Sequence, residues 1–73
     1  MRNYIHADPK ICFGKPVFRG TRVPVYIVLE LLETGIKPEE ITGLSYYPRL
    51  TLKHIQAALH YASRIAQNQQ SFV

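Results

Sequence analysis

Seventy-three residues, 47% hydrophobic and 19% charged, describe one small globular domain; they exclude a disordered chain and leave little room for an enzyme scaffold. The single cysteine, Cys12, excludes an internal disulfide, and the longest apolar run, Val23 to Leu29, is far short of the roughly 20 residues a membrane span needs. The net charge of +4 is unevenly spread: Arg2, Lys10, Lys15, Arg19 and Arg22 stand against Asp8 in the first third, four glutamates against Lys37 in the middle, and Arg49, Lys53 and Arg64 in the last.

Residues 1–23 read as a β-like arm. Asp8-Pro9, Gly14, Pro16 and Gly20 break any helix, leaving short extended pieces at Tyr4-Ile5-His6 and Pro16-Val17-Phe18-Arg19, with Gly20 turning the chain toward Thr21-Arg22-Val23. An isolated hairpin is marginal in water, and its open edge is a surface on which another chain can pair. Helix 1 is expected over 24–35, with Pro24 in the first position. Its apolar stripe is Val25, Val28, Leu29 and Leu32, and Gly35 supplies a left-handed C-terminal cap. Helix 2 is expected over 38–43, opened by Pro38 and ended by Gly43, with Glu39 and Glu40 at the positive end of its dipole.

Helix 3 is expected over 51–68, with Thr51 as N-cap and a tail at 69–73. Leu52, Ile55, Leu59, Ala62 and Ala66 fall on one face, taken here as the buried one. Lys53, Gln56, His60 and Arg64 lie opposite, with His54 and Tyr61 to the side. The fold class that follows is mainly α: a three-helix, homeodomain-like helix-turn-helix bundle preceded by a short β-hairpin-like segment.

In a helix-turn-helix the last helix offers its N-terminal residues to base edges, which makes Lys53, His54 and Gln56 candidate DNA contacts, with Arg19, Arg22 and Arg49 as further basic candidates. Lys53 and His54 stand at the positive end of a helix dipole, where acids would be the stabilising choice; a local rule broken without structural gain points to a partner. The competing reading is a solvated polar face, which any amphipathic helix needs. Tyr46 and Tyr47 divide in the same way between stacking on a partner and closing the core, with packing favoured. For Arg22 the neighbouring turn chemistry favours a structural role over a phosphate contact.

His60, Tyr61, Arg64 and Phe72 are the candidate contacts for a protein partner. One cysteine, three scattered histidines and five acids assemble neither a catalytic constellation nor a metal site. His54 and His60, six residues apart, point about 240° from one another around a helix. The expectation is a non-enzymatic protein with no cofactor and no metal. Lacking a signal-peptide core, it is expected in the cytoplasm.

One segment has a recognisable pattern: Gly14-Lys15-Pro16, then Gly20-Thr21-Arg22, then Pro24-Val25. With Asp8-Pro9, Ile11-Cys12, Pro38-Glu39-Glu40-Ile41, Tyr47-Pro48 and the run from Leu50-Thr51 to Leu59, it resembles the domain-of-unknown-function 433 (DUF433) family over residues 4–66. The resemblance implies a helix-turn-helix-like fold behind a short β-segment. It also implies the role of antitoxin in a type II toxin–antitoxin pair, binding and neutralising a PIN-like ribonuclease toxin and regulating its own operator DNA, with a homodimer as the expected assembly. The alternative is a stand-alone DNA-binding regulator. The chain departs from the family pattern where Phe13 replaces a usual glycine, and where Lys53 and His54 replace usual acids.

Overall fold

The structure is a computed structural model and describes residues 4–68. It is mainly α: three helices follow a two-stranded antiparallel hairpin. The hairpin strands are β1 (Ile5–His6) and β2 (Val17–Phe18), paired Ile5 to Phe18 and His6 to Val17. Between them lies a short 3-10 turn, Cys12–Gly14, and the helices are α1 (Val25–Glu33), α2 (Pro38–Ile41) and α3 (Leu52–Gln67).

The hairpin is more firmly held than an isolated one. Beyond β2 the chain turns at Gly20, whose φ of +81° is ready for glycine, and returns so that the Phe18 amide donates to the Val23 carbonyl at 3.0 Å. Thr21 locks that turn: its hydroxyl donates to the Phe18 carbonyl at 2.7 Å and accepts from the Val23 amide at 3.0 Å. A bridge from Val17 to Pro24 completes the pairing on the second side of β2, which confines the expected open edge to β1. Val17 and Phe18 are fully buried.

Helix boundaries are tighter than the sequence suggested. Pro24 is extended (φ −69°, ψ 141°) and caps α1 from outside instead of occupying its first turn. At the other end the Gly35 amide donates to Leu32 and the Ile36 amide to Leu31, both at 3.0 Å, with Gly35 at φ +96°. This is a Schellman cap, and the two side chains that such a cap brings together, Leu31 and Ile36, both pack on the core. The second helix ends at Ile41, and the third begins at Leu52, with Thr51 as its N-cap.

The core joins Phe18 from the hairpin, Val25 and Val28 from α1, Ile41 from α2, Leu50 from the connecting turn, and Ile55 and Ala58 from α3. The expected buried face of α3 is corrected here. Ile55, Ala57 and Ala58 are buried, whereas Leu52 and Leu59 are about half exposed, at 52% and 51%, and Ala66 is exposed. The hairpin covers a second side of α3, its Tyr4 and Phe18 rings meeting His54 edge-on at 5.0 and 5.6 Å. That added layer shifts the buried stripe toward the alanines, which let the backbones approach closely, and leaves two leucines facing outward.

Candidate functional site

The connecting turn between α2 and α3 faces the Gly20-Thr21-Arg22 turn of the arm, and the two enclose a cleft of about 780 Å³. Its backbone walls are fixed from several directions. The Tyr47 amide donates to the Ile41 carbonyl at 2.9 Å and the Leu50 amide to the Tyr47 carbonyl at 3.0 Å, so the segment bearing Pro48 and Arg49 is a closed turn anchored on buried Leu50. Across from it the Cys12 thiol donates to the Arg22 carbonyl at 3.6 Å, tying the arginine's backbone to the 3-10 turn.

Arg22 and Arg49 therefore project from two rigid turns into one cleft. Tyr46, 39% exposed, and Tyr47, packed on the core, supply its aromatic surface. No acidic side chain lines it. His6 also lines the cleft, and its Nδ1 is buried without a hydrogen-bond partner. A buried polar atom left unpaired costs about 1–3 kcal/mol, which folding alone does not repay. Two guanidiniums, a ring nitrogen and tyrosine faces around a partly apolar floor suit a planar or phosphorylated anion.

The other candidate residues are dispersed. Arg19 is exposed beside Gly20 and does not line the cleft. Lys53 and Gln56 are exposed on the first turns of α3. His54 is half-buried and has a structural task in place of the expected base contact: its Nδ1 accepts from the Thr51 amide at 2.9 Å and lies 3.0 Å from the Thr51 hydroxyl. It takes the place that Glu or Gln has in a capping box. An accepting Nδ1 requires the neutral ring, and partial burial lowers the His54 pKa below its ordinary 6.5. The reversed charge expected at this helix start is thus relieved at His54, which caps as a neutral group.

His60 and Arg64 are exposed on α3, and Tyr61 is half-buried, lining a second groove with Lys15, Pro16, Tyr26, Leu29 and Ile65. Phe72 lies outside the described residues. Sequence reasoning passed over His6, and it gave no role to Phe13, whose ring is 98% exposed. The signal for Phe13 was present, since it stands where the resembled family carries glycine. Its φ of +57°, between Cys12 at +51° and Gly14 at +84°, explains that glycine physically.

Among the described residues no three His, Cys, Asp or Glu side chains gather into a metal-binding group, and no helix is long and apolar enough to cross a membrane. A family model described as "Protein of unknown function (DUF433)" matches residues 5–62. An uncharacterized protein of Sinorhizobium fredii, y4eO, is 39% identical over 61 residues, which is 84% of this chain and 27% of that protein. The crystal structure of a DUF433 member protein from Anabaena variabilis superposes with a TM-score of 0.79 at 30% identity, over 90% of this chain and 63% of that one. The chain thus spans about a quarter of the Sinorhizobium relative and under two thirds of the Anabaena protein.

Proposed function

The chain belongs to the DUF433 family, and we propose that it works within that family as a non-enzymatic antitoxin, binding and neutralising a PIN-like ribonuclease toxin in the cytoplasm. The observation that carries this reading is the outer face of α3, where half-exposed Leu52, Leu59 and Ile65 are interspersed with exposed Lys53, Gln56, His60 and Arg64. Large apolar side chains left open among cations suit an acidic protein surface with apolar patches better than they suit a DNA groove. The acidic, metal-binding cleft of a PIN-like toxin is a surface of that kind. Arg64, in the last turn of α3, is the cation offered to it, and a second copy of the chain is the further partner in this reading.

Co-expression with the product of the adjacent reading frame, followed by size-exclusion chromatography, tests it. A single co-eluting complex is the expected result, and two separate peaks at micromolar concentration overturn it. The second reading, a DNA-binding regulator, is favoured by Lys53 and Gln56 standing exposed together at the start of α3. It requires salt-sensitive retardation of the upstream promoter in a gel shift, and no retardation at low salt removes it.

A further inference from the structure

The cleft between the two turns points to a ligand that toxin binding through α3 does not use. The geometry assigns it to a nucleotide, with the phosphate held by Arg22 and Arg49 and the base laid against Tyr46.

Three observations converge on that chemistry. The lining carries two guanidiniums and no carboxylate, so its field favours an anion, and the fork of each guanidinium matches the paired oxygens of a phosphate. Both arginines stand on hydrogen-bonded turns, one tied through Cys12 and the other through Ile41, so little ordering of the backbone is needed on binding. The rest of the wall is too apolar for a bare phosphate: Ile11, Val23, Pro48 and Leu50 line it, and Tyr46 is 39% exposed. A phosphate joined to a flat aromatic ring uses both kinds of surface, and a volume of about 780 Å³ accommodates one. The buried, unpartnered Nδ1 of His6 adds a third polar group to the same wall.

The same chemistry is offered by a free nucleotide and by one unit of a single-stranded nucleic acid. The purified full chain is titrated at low salt with adenosine monophosphate, inorganic phosphate and a short single-stranded oligonucleotide, and amide resonances are followed by NMR. With adenosine monophosphate, the amides of Gly20, Arg22 and Arg49 are expected to shift in a saturable way. Arg22→Gln and Arg49→Gln should each weaken that binding about tenfold or more, while thermal melting stays as in the wild type. Tyr46→Ala should weaken the nucleotide about tenfold and leave inorganic phosphate unchanged.

Tighter binding of the oligonucleotide, falling steeply with salt, identifies the strand as the source; equal affinities identify the free nucleotide. The proposal is overturned if none of the three probes moves these amides at millimolar concentration, or if the shifts survive both arginine substitutions. Because Arg22 and Arg49 lie away from α3, co-elution with a toxin is expected to persist in both variants, so the two readings fail separately.

Discussion

At the scale of single residues, two positions run against local rules, and each has a measurable consequence. Phe13 holds a left-handed backbone and exposes nearly its whole ring, so it stabilises nothing among the described contacts. Releasing that backbone strain is worth about 1–2 kcal/mol, against about 0.5–1 kcal/mol for the extra chain entropy of glycine. Phe13→Gly should therefore raise stability by about 0.5–1 kcal/mol in urea unfolding; a destabilised variant would mean that the ring packs. His54 carries the pH dependence. Its folded pKa is lowered by burial, so the unfolded chain takes up the proton first as the solution is acidified. The stability that depends on His54 is complete above about pH 6.5 and declines as pH falls through that value toward the folded pKa. Protonation also removes the acceptor that caps Thr51. His54→Gln keeps an acceptor at the cap and should flatten this part of the profile, at the cost of the ring contacts with Tyr4 and Phe18. Melting temperatures at pH 7.5 and 5 for both proteins decide it, and an equal drop in the two would assign the acid sensitivity elsewhere.

At the scale of elements, the chain's punctuation was readable in advance because it is local chemistry. Gly20, Gly35 and Thr51 mark a turn, a helix stop and a helix start, and each acts through its own backbone or its near neighbours. The buried face of α3 was not readable in the same way. Leu52, Ile55 and Leu59 make the best apolar stripe by spacing, yet which side of a helix is covered depends on what packs there, and here the hairpin arrives through His54. The cleft escaped for a related reason: Arg22 and Arg49 lie on different elements and meet only after the hairpin and the connecting turn have both been placed. The outward leucines give a prediction that separates packing from recognition. Leu52→Ser and Leu59→Ser should change stability by no more than about 0.5–1 kcal/mol each, because half of each side chain already faces water. Each should weaken the toxin complex by tenfold or more, as truncation of a central apolar contact does. Denaturant melts and titration of the complex are the paired measurements, and full-strength binding by both variants would remove α3 as the contact surface.

At the scale of the whole molecule, the short hairpin and the helices form one folding unit because one side chain is shared between them. Phe18 leaves the hairpin as its fully buried residue, enters the core beside Val25, Val28 and Ile41, and touches His54 of α3. A two-stranded hairpin has little stability of its own, and helices as short as α1 and α2 gain most of theirs from packing. Neither part is then expected to persist without the other. Replacing a buried phenylalanine by alanine costs about 3–5 kcal/mol, while a core of this size supplies roughly 3–5 kcal/mol in all. The two magnitudes being equal, Phe18→Ala should abolish the fold instead of loosening one corner of it. The expected outcome is loss of most helical circular dichroism at 25 °C together with collapse of the dispersed amide spectrum, including residues of α1 and α3 that do not adjoin the substitution. A variant that kept its helices and lost only the hairpin resonances would show that the arm is an appendage, and Arg22 would then lose its fixed place opposite Arg49.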